Sequence, residues 1–398
     1  MTYRPAVPAA PLPASGPRPP ASLYLAGPFS MGYVDFFTFL IPLYGLSLGF
    51  DASEVGILVG ARSILSLFLS IHIGVLMDRF GTRAVTLVFV WTGMALAPLF
   101  PLASGFWALL LLQLVNGAAV SFAWSGAQTL IAQLTEGDAR YIGRFSFFAR
   151  LGSTSAPIVA GAIWDFGGAW PAYLLGSAWG AVLTTALLRI PEAEPFAVHP
   201  AIGAARTRFR ARDVWPRASD YVNSFKLVAI PAVALSMVIV AMRNTTYSVQ
   251  TSVYVVYLDH IAFVGTTIGI LFAASEISSG FGSLFAGRAM RLGNPLRTML
   301  GGTMLAVLLV AATPLLGGIF GMLVLSVQAR AVGRHQQGAV VGLRQTGQRL
   351  SSILIPPVMG GLADRFGAGQ SFLMYGACML PLCGLLAMTI RGLRRRGS

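Results

Sequence analysis

Lysine occurs once, at Lys226, and cysteine twice, at Cys378 and Cys383. Both cysteines fall in the last apolar run, so no disulfide framework is expected. The four histidines, His72, His199, His260 and His335, are scattered and make no metal-ligand spacing. There is no Gly-Lys-Ser/Thr phosphate loop and no Gly-x-Ser-x-Gly elbow. ATP-driven work within this chain is not expected, nor is an enzyme, a resident metal or a cofactor. Charge is scarce as well: 11% of 398 residues, against about 25% in a soluble domain. With 55% hydrophobic residues and a mean hydropathy of +0.71, the chain cannot cover a water-facing surface. Lipid must be its main solvent.

Apolar runs of about 20 residues, each enough to cross a bilayer as a helix, recur along the whole length. They do not alternate polar with apolar as barrel strands would. The spans read as 24–49, 53–77, 84–104, 106–134, 141–164, 170–189, 227–257, 264–288, 296–315, 316–333, 339–362 and 370–391. The organisation expected is a disordered, proline-rich tail (1–23), a six-helix half (24–190), a basic linker (191–226), a second six-helix half (227–391) and a basic tail (392–398). No cleavable signal peptide is seen in the first 22 residues.

The net charge of +14 suggests nucleic acid at first sight. Position argues otherwise. With the N-terminus inside, the basic residues fall in inner loops and tails, apart from Arg365 and five at membrane depth. That is the positive-inside pattern. The outer loops carry Asp51, Glu54, Asp165, Asp259 and Asp364 instead. Arg391, Arg394, Arg395 and Arg396 place the C-terminus inside too, so the number of spans is even. A bacterial inner membrane with both termini cytoplasmic is expected, with no nucleic-acid partner.

The halves repeat. Gly56-Ile57-Leu58 recurs as Gly269-Ile270-Leu271 at an offset of 213, and Arg79-Phe80-Gly81 as Arg291-Leu292-Gly293 at 212. Arg150-Leu151, Pro157, Gly161 and Asp165 recur as Arg349-Leu350, Pro356, Gly360 and Asp364 at 199. The second half is therefore about 13 residues shorter, and 296–333 leaves too little chain for two full helices. Span 9 or 10 should be short, bent or irregular.

One stretch carries a family resemblance. Gly74-Val75-Leu76-Met77-Asp78-Arg79-Phe80-Gly81-Thr82-Arg83 resembles the Gly-x-x-x-Asp-Arg-x-Gly-x-Arg loop of the major facilitator superfamily. The resemblance implies an all-α membrane fold of two six-helix bundles about a pseudo-twofold axis. It implies a gating loop of Gly74, Asp78, Arg79, Gly81 and Arg83, with Asp78 facing the N-terminus of helix 11 and the arginines near lipid headgroups or loop carboxylates. The second half keeps the motif poorly, with Met290 in place of the Asp. Span 5 resembles that family's antiporter signature through Gly152, Pro157 and Gly161, with Ala156 and Ala160 where the pattern has glycine. That implies an exporter. The span 4 signature arginine is replaced by Gln113.

Charges at membrane depth are functional candidates, since each costs roughly 2.5–3.5 kcal/mol even on the lenient insertion scale. They are Asp35, Arg62, Arg150, Arg243, Glu276, Arg344 and Arg349. In the family the resemblance names, spans 1, 2, 5, 7, 8 and 11 line the cavity. Asp35 and Glu276 are the candidates for coupled protonation. Arg62, Arg150, Arg243, Asn244, Arg349, Tyr247, Gln128, Gln250, Tyr44 and Tyr254 are the candidates for binding substrate. Static Asp35–Arg62 or Glu276–Arg243 ion pairs are the plainer alternative. The resemblance thus implies a monomeric secondary transporter with a small-molecule substrate, protons and the bilayer as partners. Proton-coupled efflux leads. Organic-anion uptake or exchange through the arginines, and a non-transporting or degenerate paralogue, are the rivals.

Overall fold

The computed structural model describes residues 19–135, 139–191, 231–275, 277, 295–312 and 338–395. The described chain is helical: α1 (Ala21–Ser47), α2 (Ala52–Ala61), α3 (Ile64–Phe80), α4 (Thr82–Leu96), α5 (Phe106–Leu134), α6 (Ala139–Gly167) and α7 (Ala169–Leu188) form the first half. In the second half lie α8 (Pro231–Thr251), α9 (Val253–His260), α10 (Gly265–Ser275), α11 (Pro295–Ala311), α12 (Gly338–Phe366) and α13 (Ala368–Arg395). Six described segments are long and apolar enough to cross a membrane.

Local chemistry sets the ends. Asp51 and Glu54 form a reciprocal capping box at α2: Glu54 N–H donates to Asp51 Oδ1 at 2.7 Å and Asp51 N–H to Glu54 Oε2 at 3.1 Å. Two of the four backbone donors that open a helix are thereby met at the cost of one turn. Gly81, at φ 88°, both ends α3 and opens α4, giving the direct hairpin expected there. Gly168 and Gly367, at φ 72° and 86°, turn α6 into α7 and α12 into α13. Their spacing extends the 199-residue repeat. At the first repeat offset, Gly49 (φ 81°) is matched by Ala262 (φ 62°), a non-glycine in the left-handed region.

Two expected spans are irregular at one point each. Span 2 is interrupted only by a tightened turn at Arg62–Ser63, where the backbone stays right-handed helical between α2 and α3. Span 7, by contrast, leaves the helical region at Ser252, between α8 and α9. Helix α1 already begins at Ala21, inside the expected tail. Helix α11 is described over 17 residues, beginning at Pro295, where the described chain resumes. The rest of span 9 and all of span 10 lie outside the described residues, as does the linker beyond its first residue.

Packing is inward and aromatic. One buried cluster runs from Leu23 on α1 to Leu386 on α13 and joins both halves. In the first half Phe100 and Tyr173 stack at 4.9 Å, with Phe37 against both. Phe68, Val88, Trp91, Leu111, Leu385 and Met388 are exposed within apolar helices. Such a surface would be unstable in water and fits lipid. Helix α1 packs on α6, α7 and α5, and α8 on α12 and α11, while α2 crosses to the other half and packs on α12.

Candidate functional site

Asp51, Asp165 and Asp364 stand at helix ends on one face of the bundle, called here the acid face. The Gly81 hairpin, the start of α1 and the end of α13 stand on the opposite, hairpin face.

The halves meet along two contacts near the acid face, made by backbone against glycine. In the first, α2 lies on α12. A Cβ on Gly56 would stand 2.3 Å from the Pro356 carbonyl oxygen, one on Gly60 2.7 Å from that of Ile353, and one on Gly360 2.1 Å from that of Ala52. In the second, α6 lies on α10: a Cβ on Gly161 would stand 2.4 Å from the Gly265 carbonyl oxygen and one on Gly269 2.3 Å from that of Pro157. Real Cβ atoms do not come that close, so only glycine allows this approach. The two contacts are one contact made twice, because Gly56 repeats as Gly269, Pro157 as Pro356 and Gly161 as Gly360.

A carboxylate closes each contact at its acid-face end. Asp364 accepts from the backbone N–H of Ala52 at 2.9 Å and of Ser53 at 2.8 Å, and from the Ser53 hydroxyl at 2.5 Å. Asp165 accepts from the N–H of Gly265 at 2.9 Å and of Thr266 at 2.6 Å, and from the Thr266 hydroxyl. Each caps the first turn of a helix in the opposite half, where the backbone donors are unpaired and the dipole favours an anion. Sequence reasoning paired these aspartates by repeat but read them only as outer-loop acids.

Beside the α6–α10 contact lies a cavity lined by Asp35 and Thr38 of α1, Ser153 and Pro157 of α6, Tyr247, Gln250 and Thr251 of α8, and Phe272 and Ser275 of α10. Its free volume is ≈ 20 Å³, room for about one water. Both halves contribute: Thr38, Ser153, Tyr247, Gln250, Thr251 and Ser275 bring hydroxyls and an amide, while most of the lining surface itself is apolar. Gln250 Nε2 donates to Ser275 Oγ at 3.1 Å, and the Arg62 guanidinium donates to the Thr38 hydroxyl. Asp35 is 9% exposed. The break at Ser252 adjoins Thr251, so an interrupted helix borders the cavity, as in many transporters.

The expected site residues divide. Asp35, Tyr247 and Gln250 line the cavity. Arg150 precedes Ser153 by three positions and Arg243 precedes Tyr247 by four, so each shares the helix face of its cavity residue, one turn toward the hairpin face. Arg62 stands at the tightened turn of span 2. Asn244 is tied within its own half, its Nδ2 donating to the Gln348 carbonyl at 2.6 Å and to Ser352 Oγ at 2.9 Å. Tyr44 donates to the Ala103 carbonyl at 3.3 Å and packs edge-on against Tyr173. Tyr254 is buried edge-on against Phe372, and Gln128 is exposed on α5. Glu276 and the side chains of Asp78, Arg79 and Arg344 lie outside what is described. Arg83 has a partner the resemblance did not imply: its Nη1 donates at 2.7 Å to the Ile190 carbonyl, just past the end of α7. Gly74 is exposed, with open space where a Cβ would sit. In the span 5 signature, Gly152 lies against the Pro28 carbonyl of α1, while Pro157 and Gly161 form the contact with α10.

A two-half helical bundle with a small cavity between the halves is the architecture of many secondary membrane transporters. The major facilitator superfamily model matches residues 23–333, and the chain belongs to that family. It is a multi-pass membrane transporter rather than an enzyme. Among solved structures it is similar to the nucleoside transporter NupG, with a TM-score of 0.72 and 14% identity over 93% of this chain and 98% of that one. A point mutant of NupG gives 0.74 and 12% over 92% and 98%. A structure from work on proton-dependent oligopeptide transporters gives 0.69 and 15% over 94% and 98%. These likenesses concern the fold. No curated protein matches the sequence.

Proposed function

We propose that the protein is a proton-coupled secondary transporter that exports small organic solutes across a bacterial inner membrane, working as a monomer. Asp35 is the coupling carboxylate. The observation that carries this reading is the place of Asp35: a buried acid in the cavity wall, facing residues of the opposite half. A carboxylate there binds a proton in one state and is exposed to solute or solvent in the other, so its affinity for protons differs between states. With both termini cytoplasmic, as the arginine distribution supports, the acid face is the outer one. The structure then represents the outer-closed arm of the cycle. Export draws support from the span 5 signature, whose Pro157 and Gly161 form part of the outer closure. The cavity's hydroxyls and amides suit a hydrogen-bonding solute. NupG is a nucleoside transporter and another neighbour comes from work on oligopeptide transporters, so nucleosides and short peptides are sensible first candidates.

The test is proton flux in proteoliposomes loaded with a pH dye, with candidate solutes added under an imposed gradient. Asp35→Asn should abolish solute-dependent flux while leaving solute binding measurable. Solute-dependent flux at the wild-type rate in Asp35→Asn would remove the assignment.

A further inference from the structure

We infer that Ser153 is a positioning residue for Asp35: its hydroxyl holds one ordered water in the cavity between the halves, and that water carries the proton to and from the Asp35 carboxylate. This rests on the proton-coupled reading above and adds to it the group that presents the proton.

Ser153 is 1% exposed and lines the cavity. It cannot withdraw from α1. A Cβ on Gly152 would stand 1.9 Å from the Pro28 carbonyl oxygen, and one on Gly32 3.1 Å from that of Gly152. Ser153 is therefore held at a fixed depth beside the helix that carries Asp35. One turn on, Pro157 meets Gly269 of the other half, so the halves touch just beyond the cavity. The other small hydroxyls of the wall are engaged. Thr38 donates to the Val34 carbonyl at 2.7 Å and accepts from Arg62. Thr251 donates to the Tyr247 carbonyl at 3.2 Å, and Ser275 accepts from Gln250 at 3.1 Å. Among the described residues the Ser153 hydroxyl has no hydrogen-bond partner.

Buried hydroxyls in native proteins are paired with protein or with ordered water, because an unmade bond is costly. The cavity, at ≈ 20 Å³, takes a single water. Such a water needs about two to four polar partners. Ser153 and Asp35 supply them from the first half, and Gln250 and Thr251 from the second. The rest of the wall, Pro157 and Phe272 among it, is apolar and leaves the water nowhere else to bond. The Ser153 hydroxyl hydrogen fixes the water oxygen, which turns the water's own hydrogens toward acceptors. The carboxylate is the strongest of these. In loading, the water passes one proton to an Asp35 carboxylate oxygen and takes one from a hydronium on the side open to solvent. Unloading is the reverse. The serine keeps its own proton, and Asp35 alone changes charge. When the acid face opens, Gln250 and Thr251 leave with the second half and the water merges with solvent. The held water thus belongs to the acid-face-closed state.

Infrared difference spectra of the full chain in lipid nanodiscs, titrated with pH, read the carbonyl stretch of protonated Asp35, identified by its loss in Asp35→Asn. Ser153→Ala should shift that stretch to higher frequency, since a hydrogen bond to the carboxyl is lost. Ser153→Thr, which keeps the hydroxyl, should restore it. Radiolytic hydroxyl labelling of the same samples reads the water itself. Tyr247 and Phe272, in the cavity wall, should label severalfold faster than the fully buried Tyr173. That excess should fall in Ser153→Ala and return in Ser153→Thr. Neither readout needs a solute or a proton gradient. A stretch that shifts equally in the alanine and threonine variants marks a packing effect and overturns the inference, as does labelling unchanged in Ser153→Ala. A band lost in Asp35→Asn but indifferent to Ser153→Ala removes the inference alone. No band lost in Asp35→Asn removes the coupling reading and the inference with it.

Discussion

Removing the two cross-half caps should open the acid face. Asp364 holds the N–H groups of Ala52 and Ser53, and Asp165 those of Gly265 and Thr266. Asp51 takes the next donor of α2, at Glu54, so two carboxylates from different halves share one first turn. A bond to a charged group contributes about 1.5–3 kcal/mol when water is excluded. Here Ser53 and Thr266 lie at the rim and water can replace the carboxylate, which brings the figure nearer that of an N-cap, about 0.5–2 kcal/mol. We take about 1–2 kcal/mol per aspartate. Since the two sites share no partner they should add. Alanine at one site should then shift the closed-to-open ratio about 5–30-fold, and at both about 30–900-fold. The loss falls on the closed state alone, because once the halves part the helix ends are hydrated in wild type and variant alike. Spin labels at Ser104 and His260, exposed on the acid face in opposite halves, would report the separation as a distance distribution. A new, longer population should appear in Asp364→Ala and dominate in the double variant. Asn, which keeps one acceptor, should fall between. An unchanged distribution in the double variant would refute the reasoning.

Two other expectations are local. Gly56→Ala should part α2 from α12, because its Cβ would stand 2.3 Å from the Pro356 carbonyl oxygen, and transport should fall tenfold or more, by about 1.4 kcal/mol. Gly74→Ala, which meets nothing within 4 Å inside α3, should be neutral or raise the melting temperature by about 0.5–1 kcal/mol equivalent. Equal effects of the two would deny the close contact its role. Ala262→Gly should stabilise the protein by about 1 kcal/mol, since Ala262 holds φ 62° where its repeat partner is Gly49. A lower melting temperature would show that the loop gains more from the methyl group than it loses in strain.

Much of the architecture was legible in the residues, for a physical reason. A span must be continuous and apolar, so its limits show in composition, and α5 covers the same residues as the expected run of 106–134. The repeats showed because close contacts can be met only by glycine and its small neighbours, which are slow to disguise. The two irregular points did not show. Neither Arg62–Ser63 nor Ser252 carries a proline or a glycine. Nor did the caps of Asp165 and Asp364, because their partners are backbone amides, which have no letter in a sequence. Tyr44, Tyr254 and Asn244 read as pocket candidates because helices that are apolar all round do not disclose which face looks inward. Their bonds within each half could be found only with the neighbouring helices in place.

The paired contacts have a consequence for how such a chain varies. A two-fold assembly of a single half would present the same glycine strip and the same aspartate twice, so that any substitution acted on both sides at once. Joining them in one chain breaks that bond. Ser53 now stands where Thr266 does in its copy, Gly49 where Ala262 does, and each closure can be loosened alone. The protein can therefore bias one seam against the other, a freedom that a true dimer of identical halves does not have.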